Sequence, residues 1–145
     1  MRPEIGREIP TELGQVHCIG VGGSGMSGIA RVLRERGLVV TGSDRFASEV
    51  TESLESAGIP VHIGHDASHL GSADTVVVSS AVRENNPEFA EATARGLTIL
   101  HRSEALRWII RGKRVLAVAG SHGKTTSTAM LATALDVYFS NPALG

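Results

Sequence analysis

A single cysteine, Cys18, is all that the 145-residue sequence carries, so an intramolecular disulfide is excluded and a reducing compartment is expected. Lying in an apolar run, Cys18 reads as a small buried hydrophobe rather than a reactive thiol. Aromatic residues are equally scarce: three Phe, one Tyr and one Trp leave Val, Ile, Leu and Ala to build the core, with Trp108 expected to pack against it. No sign of charge dominates, since 14 Lys and Arg face 15 Asp and Glu, which argues against a polyanion-binding arm, a basic membrane patch or an acidic tail. No apolar run nears the roughly 18 residues of a membrane span. Residues 1–14 have neither a signal-peptide core nor an anchor, and a cytoplasmic protein is expected.

What the sequence does hold is glycine, seventeen of them, placed where short apolar runs end. Runs at 16–21, 38–41, 59–63, 75–79 and 97–100 alternate with segments whose apolar residues recur every three or four positions. This is a βαβ rhythm, and it predicts an α/β fold with a Rossmann-like parallel sheet and flanking helices. Helices are expected after Gly25, over 48–57, over 87–95 with Pro87 in the first turn, and over 103–110 with Ser103 as N-cap. Residues 64–71 read as a loop or short helix. A sixth buried strand at 115–119 leads into a further helix reaching about Leu135. The expected organisation is an N-terminal extension at 1–14, a Rossmann-like domain at 15–112, and the first strand, loop and helix of a P-loop domain at 113–145.

Two phosphate loops carry the chemistry. Gly20-Val21-Gly22-Gly23-Ser24-Gly25 satisfies GxGxxG between a strand and a helix, where glycine permits a tight turn and lets a pyrophosphate approach helix N-terminal amides. Asp44, nineteen residues after Gly25 at the tip of the second strand, sits where such folds place a carboxylate that binds a ribose or base. It reads alternatively as a turn residue capping the following loop. The second loop, Gly120-Ser121-His122-Gly123-Lys124-Thr125, is shorter than a strict P-loop because Val118 occupies the position of its first glycine. Its backbone amides suit phosphate oxygens, Lys124 suits the β and γ phosphates, and the Thr125 hydroxyl suits Mg²⁺. His62, His65 and His69 lack a carboxylate or cysteine partner in sequence and read as surface or core residues rather than zinc ligands. Arg102 faces either a phosphate or a solvated helix end.

The segments Ile19-Gly20-Val21-Gly22-Gly23-Ser24-Gly25-Met26-Ser27-Gly28-Ile29-Ala30, Gly42-Ser43-Asp44, Ser79-Ser80-Ala81-Val82 with Asn86-Pro87-Glu88, and Gly120-Ser121-His122-Gly123-Lys124-Thr125-Thr126 resemble the Mur ligases over about residues 15–135. Within that family the resemblance is strongest to the branch that joins L-alanine to UDP-N-acetylmuramate. It implies that the first domain binds a UDP-sugar through Gly22, Gly23, Ser24, Gly25, Met26 and Ser27, with Asp44 and His65 near the uridine and Ser79, Ser80 and Ala81 along the sugar-diphosphate channel. It also implies that Gly120, Ser121, His122, Gly123, Lys124, Thr125 and Thr126 bind ATP, with Lys124 catalytic and Thr125 on Mg²⁺. Ser121 departs from the threonine usual there. The family reaction passes through an acyl phosphate in peptidoglycan synthesis. For these 145 residues the expectation is UDP-sugar binding without ligation, because the acidic Mg²⁺ ligands and the C-terminal domain of the family have no match here. Two other readings stand beside it: an NAD-sensing regulatory module without catalysis, and a small P-loop phosphotransferase.

Overall fold

The computed structural model describes residues 8–140. Residues 1–7 of the expected extension and 141–145 of the expected P-loop segment lie outside the described residues. The chain divides into two compact units, Met1–Arg111 and Gly112–Gly145.

In the first unit, β1 (Val16–Ile19), β2 (Val40–Asp44), β3 (Val61–Ile63), β4 (Thr75–Val78) and β5 (Thr98–His101) form one parallel sheet in the order β3-β2-β1-β4-β5. The helices are α1 (Ser24–Glu35), α2 (Glu49–Ser56), α3 (Pro87–Ala94) and α4 (Arg102–Ile109), with a 3₁₀ turn at Ala67–Leu70. This is the Rossmann-like α/β class that the βαβ rhythm predicts, with its direction of winding reversing between β1 and β4.

Both central strands are buried along their whole length, which the alternation of side chains across a sheet turns into two cores. Val16, Cys18 and Val77 point to one face and meet Met26, Ile29, Ala30 and Leu33 of α1, Leu54 of α2, and Ala105 and Ile109 of α4. Ile19, Val76 and Val78 point to the other, against Leu70 and Ala92. Each leucine or isoleucine buried this fully contributes about 1.5–3 kcal/mol. Ile9 and Leu13 also enter the larger core, and Trp108 packs at its edge while its Nε1 donates to the Thr11 carbonyl at 3.0 Å. Burial pushes the Cys18 thiol up to about 12, as an inert core residue requires.

Several boundaries differ from expectation, each for a physical reason. Gly42 and Ser43 look like a turn, yet they lie inside β2, where Gly42 pairs with Cys18 on one side and Val61 on the other. Glycine serves close approach here: a Cβ on Gly42 would lie 2.7 Å from the Cβ of Val21. α4 starts one residue early because His101, not Ser103, is its N-cap; the His101 Nδ1 accepts the Ser103 amide, and Glu104 accepts the His101 amide at 2.7 Å.

The second unit holds α5 (Lys124–Ser140), which continues past Leu135 through Val137, Tyr138 and Phe139. Residues 115–119 form no strand. A strand exists only as one side of a hydrogen-bonded ladder, and the described residues of this unit include no second strand to pair with it.

Candidate nucleotide site

A cleft of about 1020 Å³ opens at the carboxyl ends of the strands, beside the switch point between β1 and β4. Four connections wall it: Gly20, Gly22 and Gly23 after β1; Asp44, Arg45, Phe46 and Ser48 around the end of β2; Gly64 and His65 after β3; and Ser79, Ala81, Val82, Arg83, Asn85 and Asn86 after β4. Open parallel sheets place ligands at this location because the loops diverge there.

The glycine loop is shaped by its own backbone bonds. Gly20 turns the chain with φ +76°, a conformation that glycine adopts without strain, and the Gly20 and Val21 amides both donate to the Ser43 carbonyl. Gly23 caps α1 and its carbonyl accepts the Met26 and Ser27 amides. The Ser24 and Gly25 amides have no acceptor among the described residues, and α1 has no acidic residue in its first turn. Two free donors at the positive end of a twelve-residue helix make an anion site. Met26 and Ser27 do not present side chains to it: Met26 packs in the core, and the Ser27 hydroxyl donates to the Ser24 carbonyl at 3.1 Å.

Asp44 is already engaged. Its Oδ2 accepts the Gly22 amide at 2.8 Å and its Oδ1 accepts the Phe46 amide at 3.4 Å, so the capping role and the loop-holding role coexist in one carboxylate. Ser79 and Ala81 border the cleft, whereas the Ser80 hydroxyl turns away to His101 Nε2 at 2.9 Å. The His101 Nδ1 accepts from the Ser103 amide, so Nε2 carries the proton that meets Ser80. Arg102 lies against the start of α1, where a Cβ on Gly25 would collide with its guanidinium.

Beneath the cleft sits a polar knot that no sequence spacing announces. Glu88, in the first turn of α3, is fully buried. Its Oε2 accepts the Ser43 hydroxyl at 2.8 Å and meets His65 Nδ1 at 2.7 Å, while Oε1 meets His69 Nδ1 at 3.2 Å. The buried His17 brings Nε2 to 3.4 Å from Oε1 without hydrogen-bond geometry and holds Thr41 through Nδ1. Burial works to raise the Glu88 carboxyl, but the surrounding His17, Ser43 and His65 outweigh it and hold it below the ordinary carboxylate range. His62 stacks on His69 with ring centres 4.4 Å apart. His62, His65 and His69, read from the sequence as surface or core residues, are thus engaged with a carboxylate and with one another.

Arg45, Phe46 and Arg83 are cleft residues that the sequence motifs miss. Phe46 leaves 67% of its surface exposed, with the Arg45 guanidinium 5.1 Å from its ring centre. A lone aromatic one residue beyond a strand-end Asp-Arg pair was the available signal, in a chain with so few aromatics.

In the second unit, Gly120 (φ +155°) and Gly123 (φ +74°) shape the other loop. Lys124 Nζ donates back to the Gly120 carbonyl at 2.6 Å, and the Lys124, Thr125 and Thr126 amides at the start of α5 have no acceptor among the described residues. Gly120, Ser121, His122, Gly123, Lys124, Thr125 and Thr126 therefore form one exposed turn of donors leading into a helix.

Comparison with known proteins agrees with this geometry. The Mur ligase family, catalytic domain, matches residues 15–114. The UDP-N-acetylmuramate–L-alanine ligase of Clavibacter michiganensis is 56% identical over 133 residues, and that of Nocardioides sp. is 52% identical over 130. These alignments cover 92% and 90% of the chain but only 28% and 29% of the relatives, so the chain spans little more than a quarter of their length. Among solved structures, the UDP-N-acetylmuramate-alanine ligase of Thermotoga maritima superposes with a TM-score of 0.81 at 36% identity, over 84% of this chain and 29% of that one. A murein peptide ligase from Psychrobacter arcticus follows at 0.77 and 34%, over 82% and 25%. The chain belongs to the Mur ligase family.

Proposed function

We propose that the first unit binds UDP-N-acetylmuramate, in an enzyme that joins L-alanine to that sugar in peptidoglycan synthesis. The observation that carries the reading is a cleft walled by Gly22 and Gly23, at the N-terminal end of α1, and by Arg45 and Arg83, with the Ser24 and Gly25 amides next in the chain left without an acceptor among the described residues. The only carboxylate on the cleft wall, Asp44, is turned onto the loop amides. A diphosphate meets donors and positive charge there, Phe46 offers an aromatic face, and Ser79 and Ala81 border the path of the sugar. A dinucleotide would need the same amides, so NAD is the competing ligand to be tested.

The loop at 120–126 fits a nucleoside triphosphate because it carries no carboxylate and offers a glycine-shaped backbone, one ammonium and three amides without an acceptor among the described residues. Lys124 would leave the Gly120 carbonyl for the β and γ phosphates and stay there as charge builds on the transferring phosphoryl group. Thr125 would give Mg²⁺ one hydroxyl oxygen. When bound, Mg²⁺ offsets phosphate charge. In the reaction, the lactyl carboxylate takes the γ-phosphoryl group, releasing ADP; the L-alanine amine then attacks the acyl carbon, expelling phosphate and losing a proton. ATP supply puts this in the cytoplasm, and no helix of the described residues is long and apolar enough to cross a membrane.

For the 145-residue chain the proposal assigns UDP-sugar binding without turnover. Calorimetric titration with UDP and with NAD tests the first part, and NAD bound in preference to UDP overturns it. Phosphate release with ATP, UDP-N-acetylmuramate and L-alanine tests the second, which robust turnover overturns.

A further inference from the structure

A carboxylate can only accept hydrogen bonds, so the groups gathered on Glu88 must donate to it. Ser43 spends its hydroxyl hydrogen on Oε2. His65, 2.7 Å from the same oxygen, then carries its proton on Nδ1, and the 3.3 Å approach of that nitrogen to the Ser43 oxygen is consistent with a shared donor. The other nitrogen of the ring, Nε2, has no partner among the described residues. Of the two histidines that Glu88 holds through Nδ1, His65 borders the nucleotide cleft, where it is 26% exposed, and His69 does not.

We propose that Glu88 is a positioning residue: it fixes His65 as the Nδ1–H tautomer, so that Nε2 stands as a hydrogen-bond acceptor toward the nucleotide cleft and selects a ligand N–H or O–H group. This rests on the nucleotide reading above. The second nitrogen of an imidazole takes its role from the bond that the first one makes, and here that bond ends on a buried anion with no freedom to reorient. The donor it selects on a uridine nucleotide is either the imide N–H of the base or a ribose hydroxyl. Cytosine has no imide N–H at that edge, which separates the two sources.

The test uses the 145-residue chain. Nitrogen-15 NMR of the histidine rings at pH 7.5, without ligand, is expected to show His65 protonated on Nδ1 alone; a proton on Nε2 overturns the assignment. Glu88→Gln is expected to relax that tautomer preference and weaken UDP binding about tenfold, the loss that follows from a hydrogen bond to a charged group. An unchanged tautomer, or unchanged affinity with a changed tautomer, overturns the positioning role. Where Glu88→Gln does not fold, the partly exposed His65 decides. His65→Asn keeps a donor for Glu88 but nothing at the Nε2 position, and is expected to bind UDP about tenfold more weakly. His65→Gln, which reaches the Nε2 position, is expected to retain more affinity; equal binding by His65→Asn and the unaltered chain overturns the proposal. CDP and 2′-deoxy-UDP then identify the donor: the imide predicts that CDP loses affinity in the unaltered chain and not in His65→Asn, a ribose hydroxyl predicts the same of 2′-deoxy-UDP, and loss for neither overturns the proposal. Failure of the unaltered chain to bind UDP overturns the nucleotide reading itself, whereas the ligand-free tautomer decides the role of Glu88 separately.

Discussion

Asp44 Oδ2 accepts the Gly22 amide at 2.8 Å, tying the end of β2 to the phosphate loop that follows β1. A carboxylate expected near a ribose or base also helps to give the loop its shape. Asp44→Ala removes that acceptor and orphans the Gly22 amide, a loss of about 1–3 kcal/mol for a hydrogen bond to a charged group. UDP affinity measured by calorimetry is expected to fall roughly tenfold or more. Affinity within twofold of the unaltered chain would show that the loop holds its form without Asp44.

The same junction constrains Gly42. A Cβ there would meet the Cβ, Cγ1 and Cγ2 of Val21 at 2.7, 2.8 and 2.9 Å, and β2 is locked between β1 and β3 in a parallel ladder. Gly42→Ala is expected to cost about 1–3 kcal/mol, as overpacked cores do, and to lower the thermal midpoint by several degrees. Because Val21 belongs to the glycine loop, UDP binding should weaken along with it. A midpoint equal to that of the unaltered chain would mean that the backbone shifts freely at this point.

The contrast between these two positions and the first phosphate loop shows what the sequence discloses. Strand, glycine turn and amphipathic helix are contiguous, so residues 16–35 carry their own structural signal and the parallel sheet follows from repetition of that unit. Gly42 and Ser43 mislead because turn-like residues are kept in a central strand by ladders on both sides, a tertiary effect. The Glu88 knot is invisible for another reason: it gathers His17 of β1, Ser43 of β2, His65 after β3 and a residue of α3, four segments that only the folded sheet brings together. Residues 115–119 have the composition of a strand and no partner strand among the described residues of their own unit, so composition alone overstates them.

Acid should destabilise the first unit in two steps. Burial, with help from Arg102 and against Glu104, lowers the His101 pKa below its usual value near 6.5. The native ring stays neutral while the unfolded chain takes up a proton, so this stabilisation is present above pH 6.5 and is lost as pH falls through the native value. Glu88 is held below the ordinary carboxylate range, so its contribution is present above about pH 4.3 and is lost as pH falls through its lowered native value. Urea midpoints measured from pH 8 to 3 are expected to decline first below 6.5 and again below about 4.3. His101→Asn, which keeps an N-cap, should shrink the upper step, to which His62, also lowered by burial, contributes in the same direction; a profile unchanged by it would contradict the assignment.

Cys18 lies wholly inside the sheet with its thiol raised to about 12. Ellman's reagent at pH 8 should therefore leave the native chain unlabelled and react at once in 6 M guanidinium chloride. Labelling that proceeds at the same rate in both would place the thiol outside the core. Cys18→Ser buries a hydroxyl among Val16, Val77 and α1 without a ready partner, a cost of about 1–3 kcal/mol.

Lys124 and the first phosphate loop belong to different compact units, so their ligands should be separable by mutation. Lys124→Ala deletes the ammonium that now closes on the Gly120 carbonyl and leaves the three free amides of α5 in place. Loss of a charged hydrogen bond to phosphate, about 1.5–3 kcal/mol, should weaken ATP binding by tenfold or more while UDP binding by the first unit stays the same. Parallel titrations with the two nucleotides check this. Loss of UDP affinity in Lys124→Ala would mean that the two loops serve one ligand, and the division of labour proposed for them would fall.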